Sequence, residues 1–265
     1  MKIGLSTANY FPEIDTEDMI DLYGKNGVDT VEVFLNTYSE MTEDFIKKLK
    51  ERIDTYGITV NSVHVMSMVI EPCLFDLHYR RRTDFLEIYK RTLQCIRELD
   101  SSIYTFHGPP VNMALPQYYD HIANCYDVLY ELAGEAGVGL AQENVAYLAS
   151  GQPEFILEMK DRMKQRMFHT FDIKQAVKAG IDPYRYLEVI GPDLVNIHLN
   201  DNDATNHCLL PGTGSFDFDR FFAHLAKIGY GGNGIIELYR HNFNTEKDLV
   251  NARLALIRQA QKNGL

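Results

Sequence analysis

Short apolar or β-branched runs alternate along the chain with longer segments whose apolar positions recur every three to four residues. The runs fall at residues 2–6, 30–34, 59–65, 103–107, 139–144, 167–172, 194–199 and 234–239, and each has the length and composition of a buried strand. Between them lie helical spacings such as Met19, Leu22 and Tyr23, then Phe45, Leu49 and Ile53, then Phe85, Ile88, Leu93, Ile96 and Leu99. Helix punctuation agrees with that division. Asp15 or Thr16 can cap a helix ending near Gly27, Thr42 one ending at Gly57, and Asp217 one ending at Gly229, while the last helix starts near Thr245.

Strands that alternate with helices imply right-handed crossovers and a parallel sheet, and eight such units close naturally on themselves. The expected fold is therefore α/β, a (β/α)8 TIM barrel, with residues 1–265 as one domain. The third and fourth βα loops, residues 67–79 and 108–117, are the long ones and carry Pro72, Pro109, Pro110 and Pro116. They are expected to wall or cover a site.

In such barrels the chemistry gathers at the C-terminal ends of the strands, where the βα loops converge. Reading the strand ends in turn gives Glu32, His64, His107, Glu143, Asp172, His198 and Glu237. Residues two apart on a strand share a face, so Asp172 is expected to point with Thr170 and Lys174, and Glu237 with Ile235 and Tyr239. Glu143, Asp172, His198 and Glu237 together form an oxygen and nitrogen ligand set for a divalent cation. Carboxylates buried at strand ends are costly unless something neutralises them, which makes an active site the leading explanation.

Composition narrows the partners. The net charge is −11, from 26 Lys and Arg against 37 Asp and Glu, the wrong sign for a nucleic acid backbone. The one basic run, Arg80 to Arg82, reads as the solvated start of a long helix. No apolar run reaches the ~18 residues of a membrane span, and no signal core is evident at the N-terminus. The four cysteines are widely spaced without a CxxC pair, as in reduced thiols of a cytoplasmic protein. Apolar surface on the outer helices is compatible with a homo-oligomer.

Five stretches carry a family resemblance: AQENV around Glu143, FHTFDIKQA around Asp172, NIHLNDND around His198, LPGTGSFDF at residues 210–218, and GYGGNGIIELYR ending at Arg240. In this order they resemble the xylose-isomerase-like superfamily of sugar and sugar-phosphate isomerases and epimerases, among them ketose 3-epimerases, over nearly the whole chain. The resemblance implies one divalent metal ion, Mn2+ first with Mg2+, Co2+ or Zn2+ as alternatives, held by Glu143, Asp172, His198 and Glu237. It also implies a small-molecule sugar substrate. Glu143 and Glu237 would act as the acid/base pair, moving a proton through a metal-stabilised cis-enediolate. Return of the proton to the same carbon epimerises, and return to its neighbour isomerises aldose and ketose; the same residues serve both outcomes.

Glu32, His64, His107, Lys174, Gln175, His207 and Arg240 are the candidate substrate contacts. Lys174 is expected to make a salt bridge or substrate contact rather than a Schiff base, and Arg240 to bind a hydroxyl or phosphate or to pair with an acid. The remaining histidines, His78, His121, His169, His224 and His241, read as surface or packing residues. Relatives that cleave abasic DNA hold three zinc ions, but Gln175 and Thr205 stand where that third site needs a histidine and an aspartate. Alternatives on the same barrel are dehydration of a keto-inositol, metal-dependent hydrolysis including that endonuclease, and sugar binding without turnover.

Overall fold

The structure is a computed structural model that describes residues 1–265, the side chain at position 67 apart. Eight strands run parallel: β1 (Ile3–Ser6), β2 (Thr30–Leu35), β3 (Thr59–Val65), β4 (Ile103–Phe106), β5 (Gly139–Glu143), β6 (Phe168–Asp172), β7 (Leu194–Leu199) and β8 (Asn233–Ile236). They pair in sequence order, and β8 closes on β1. This is the expected TIM barrel.

The helix boundaries follow the sequence punctuation. The helix Glu43–Tyr56 starts after Thr42 and ends at Gly57, which takes a left-handed φ of 64°. The helix Phe218–Lys227 is capped by Asp217, whose carboxylate accepts from the backbone N–H of Arg220 at 2.9 Å. Thr245 caps the last helix, Glu246–Lys262. Arg80 and Arg81 stand exposed in the first turn of the helix Tyr79–Glu98. No described helix is long and apolar enough to cross a membrane.

Three details differ from the sequence reading. β8 stops at Ile236, so Glu237 lies one residue beyond it, and His107 likewise follows the end of β4. Strand alternation therefore does not govern either side chain. A helix begins at Ile173, directly after β6, so Lys174 reaches the mouth from a helical first turn rather than an extended strand. The third βα loop is largely helical turns, Ser67–Ile70 and Glu71–Phe75.

The barrel interior is polar where such barrels commonly carry branched aliphatics. At one level Asn61 donates through Nδ2 to Oδ1 of Asn196 at 3.0 Å, and Asn233 donates through Nδ2 to Oδ1 of Asn61 at 2.9 Å. Above it, Oε2 of Glu32 accepts from Ser62 Oγ at 2.6 Å, Thr105 Oγ1 at 3.1 Å and Asn196 Nδ2 at 3.4 Å. The period of two then lifts His64 above Ser62, Asp172 above Thr170 and His198 above Asn196. Residues of the opposite parity, Val63, Phe171 and Ile197, are fully buried in the shared apolar core. The sheet thus delivers its hydrophobic face to the helices and a ladder of polar side chains to the axis.

Candidate active site

At the C-terminal mouth, Glu143, Asp172, His198 and Glu237 each place one ligand-capable atom within 4.8 Å of the others. Local folding aims each of them. Asp172 caps the helix Ile173–Lys178, and its Oδ1 accepts from the backbone N–H groups of Lys174 at 2.7 Å and Gln175 at 3.4 Å and from Asn200 Nδ2 at 2.9 Å. That leaves Oδ2 for the cluster. His198 lies with Nε2 3.1 Å from Oε2 of Glu32. An ionised carboxylate only accepts, so Nε2 carries the proton and Nδ1 faces the cluster. From there Nδ1 lies 3.5 Å from Glu143 Oε1, 3.4 Å from Glu237 Oε2 and 3.7 Å from Asp172 Oδ2.

Two further histidines and a lysine complete the electrostatics. His107 Nε2 is 2.9 Å from Glu143 Oε2, and His64 Nε2 is 3.6 Å from the same oxygen. Lys174 Nζ bridges Glu237 Oε2 at 2.6 Å and Asp172 Oδ2 at 3.1 Å. Burial pushes the Glu143 carboxyl up, but His107 and His198 outweigh it and hold the group well below the usual carboxylate range. Burial acts the same way on Glu237, where Lys174 and His198 prevail in the downward direction. The His198 ring is pulled down by burial yet raised well above its ordinary value by Glu32 and Glu237. Both glutamates are thus held ionised.

These residues fit a divalent cation. Asp172 Oδ2, Glu143 Oε2 and His198 Nδ1 converge on one buried point without a well-formed hydrogen bond. Lys174 at 3.1 Å and His107 at 2.9 Å offset the charge of the two carboxylates, and a cation at that point would satisfy all three atoms at once. Three carboxylate oxygens and one imidazole nitrogen suit the harder divalent ions. Glu32 behind His198 makes the carboxylate–histidine pairing that orients metal-binding imidazoles.

The mouth opens into a cavity of about 520 Å³ lined by Phe34, His107, Glu143, Tyr147, Lys174, Gln175, Glu237, Tyr239 and Arg240 among others. This volume lies within the ~300–1,000 Å³ typical of small-molecule sites.

The family model for the xylose isomerase-like TIM barrel matches residues 20–260. The chain belongs to this family. An uncharacterised protein from Mycobacterium tuberculosis strain H37Rv is 24% identical over 264 residues, covering 90% of this chain and 89% of that protein. Among solved structures, a D-tagatose 3-epimerase-like protein is similar with a TM-score of 0.82 at 22% identity, covering 100% of this chain and 98% of its own. D-Psicose 3-epimerase from Clostridium cellulolyticum H10, solved with D-tagatose, has a TM-score of 0.76 at 18% identity, with 99% of each chain covered.

Within this xylose isomerase-like barrel, the candidate substrate contacts divide by position. His107, Lys174, Gln175 and Arg240 line the cavity. Arg240, however, is committed, its Nε 2.6 Å from Glu13 Oε2 and its Nη1 donating to the Phe243 carbonyl at 3.0 Å. His64 is buried between Glu32 and Glu143. Glu32 lies beneath His198 in the barrel floor, where Ser62, Thr105 and Asn196 surround it, and so stands behind the cluster rather than beside the cavity. His207 is exposed on the seventh βα loop and is not part of the cavity wall. Thr205 is likewise exposed, hydrogen-bonded to Asp203. Gln175 accepts from the backbone N–H of Ala146 at 3.2 Å.

Sequence reasoning missed the aromatic rim. Phe11, Tyr147 and Tyr239 are 55%, 51% and 39% exposed yet line the cavity. Tyr147 and Tyr239 each follow a candidate ligand closely, four residues after Glu143 and two after Glu237, and that proximity was the available signal. Asn200 and Asn144, which orient Asp172, lacked one because amides recur throughout loops.

Proposed function

We propose that this protein is a divalent-metal-dependent sugar isomerase or epimerase that acts on a keto sugar by moving a proton at the carbon beside the carbonyl. The observation that carries the reading is the pair Glu143 and Glu237, both held ionised and lying 3.5 and 3.4 Å from the His198 Nδ1 atom. Family membership and the likeness to structures named as ketose 3-epimerases support it.

Glu143, Asp172, His198 and Glu237 would hold the cation, with Glu32 keeping the His198 ring in place. When bound, the cation polarises the substrate carbonyl and offsets the charge that develops as the adjacent carbon loses its proton. One glutamate takes that proton through a side-chain oxygen, and the other, once it has taken up a proton from solvent, gives it to the opposite face, which inverts the carbon and leaves the first glutamate to release its proton to solvent. His107 and Lys174 each neutralise one of the two glutamates and so set its proton affinity. Phe11 and Tyr147 line the outer cavity and would pack on the C–H surface of the sugar, while the Tyr239 ring is engaged by the ammonium groups of Lys174 and Lys178 and by His241.

The outer cavity favours a substrate without phosphate. Arg240 is engaged by Glu13, Lys174 by two carboxylates, and the Lys178 ammonium by the Tyr239 hydroxyl. The test is a panel of ketohexoses, ketopentoses and their phosphates incubated with Mn2+ and the protein, with products separated by chromatography. Conversion of an unphosphorylated ketose to its epimer or aldose is expected. Absence of any new sugar across the panel contradicts the reading.

A further inference from the structure

Glu71 is fully buried, and the reaction described above leaves it without a part. It lies in the helical turn Glu71–Phe75 of the third βα loop and reaches across to the end of β4. Its Oε2 accepts from the backbone N–H groups of His107 at 2.6 Å and Gly108 at 3.1 Å, and its Oε1 accepts from the Tyr104 hydroxyl at 3.1 Å. The opposite side of the same turn is held as well. Gln142 donates through Nε2 to the carbonyls of His107 at 2.7 Å and Phe106 at 3.2 Å, and its Oε1 accepts from the Tyr126 hydroxyl.

The turn itself needs this grip. Gly108 has a φ of +86°, and a Cβ there would meet Gln142 Oε1 at 2.5 Å and Tyr126 Oη at 2.7 Å. From this turn the His107 imidazole extends to Glu143, Nε2 to Oε2 at 2.9 Å. A carboxyl is an expensive group to bury for the sake of two backbone donors, so its presence calls for more than loop packing. Burial pushes the Glu71 carboxyl up to about 7, with His107 pulling it back.

We propose that Glu71 is a positioning residue, which grips the His107–Gly108 peptide from the third loop and so sets the direction in which the His107 imidazole meets Glu143. The geometric part stands on the hydrogen bonds alone, while its consequence for turnover rests on the reading of Glu143 as a proton-transfer group. The third βα loop is thereby tied to the reaction centre through one side chain.

The test compares Glu71→Leu, Glu71→Gln and Tyr104→Phe in the full chain. Leu removes the acceptor, Gln keeps an amide oxygen able to accept from both N–H groups, and Tyr104→Phe removes only the partner of Oε1. The first readout is the histidine ring 15N–1H spectrum of the metal-free protein, with His107 assigned by its loss in His107→Asn. Glu71→Leu is expected to shift or broaden the His107 ring signals, with Glu71→Gln and Tyr104→Phe close to wild type.

The second readout is ketose turnover with Mn2+. Displacement of His107 lowers kcat by up to about a hundredfold with KM roughly unchanged, and Glu71→Gln restores it. If Glu71→Leu does not fold, Glu71→Asp, one methylene too short to reach both N–H groups, takes its place with the same expectation. His107 ring signals that match wild type in a folded Leu or Asp variant, or a Gln variant as impaired as Leu, overturn the proposal. If wild type turns over no ketose while the ring signals move as expected, the functional reading fails and the positioning role stands.

Discussion

The ammonium of Lys174 stands 2.6 Å from Oε2 of Glu237, and the same nitrogen lies 3.1 Å from Oδ2 of Asp172. A buried cation thus already balances two of the four proposed metal ligands. Burial pulls the Lys174 amine down, yet Asp172 and Glu237 hold it well above its ordinary value. Lys174→Met leaves both carboxylates buried without that partner, and the metal-free variant is expected to lose about 3–5 kcal/mol of stability. Urea unfolding with and without Mn2+ checks this. Mn2+ should restore more stability to the variant than to wild type, and equal stability of the two metal-free proteins would contradict the pairing.

Glu32 lies behind His198, with its Oε2 facing Nε2 of the ring. Glu32→Gln keeps the size of the side chain but removes the charge facing Nε2 at 3.1 Å. Loss of such an orienting carboxylate typically weakens metal binding by about 10–100-fold. Titration calorimetry with Mn2+ is expected to show a drop of that order, with the fold intact by circular dichroism. Unchanged affinity would leave Glu32 as part of the polar floor alone.

Much of this was legible in the sequence. Eight runs and the caps at Thr42, Asp217 and Thr245 located the barrel because apolar periodicity and helix punctuation are local signals. The four cluster residues were legible for the same reason, each ending or following a strand. Glu32 and His64 were found as strand-end residues, but their depth was not, since alternation tells which face a side chain takes and not which layer of the barrel it fills. The asparagine and threonine ladder through Asn61, Thr105 and Asn196 was hidden, because its pairings link residues up to 172 positions apart. Glu71 was missed because its partners are backbone N–H groups on another strand end.

Stability should depend on pH through Glu71. Its carboxyl is raised from 4.5 to about 7 in the fold, so between those values the folded chain binds more protons than the unfolded one. Stability attributable to this group is therefore present below pH 4.5 and is lost as pH rises through 7. The shift corresponds to roughly 3 kcal/mol. Urea unfolding of wild type and Glu71→Gln at pH 5 and pH 8 is expected to show wild type losing ground relative to the variant at the higher pH. A pH-independent difference between them would place the Glu71 carboxyl at its ordinary value.

Gly108→Ala combines a positive φ with a crowded Cβ position beside Gln142 and Tyr126. Left-handed backbone at a residue with a side chain costs on the order of 1–3 kcal/mol, and displacement of Gln142 adds to it. Thermal unfolding is expected to register a loss of at least that order. A variant as stable as wild type would show that the turn can relax without cost.

The most direct test of the central claim is solvent-deuterium incorporation into an unphosphorylated ketose in D2O with Mn2+, followed by NMR for wild type, Glu143→Gln and Glu237→Gln. Wild type should place deuterium on a carbon next to the carbonyl, and both variants, folded and assayed at Mn2+ concentrations shown by titration to saturate their weakened sites, should lose that exchange. A wild type that exchanges no carbon-bound proton on any ketose it binds, or exchange that survives in both variants, would contradict proton transfer by Glu143 and Glu237.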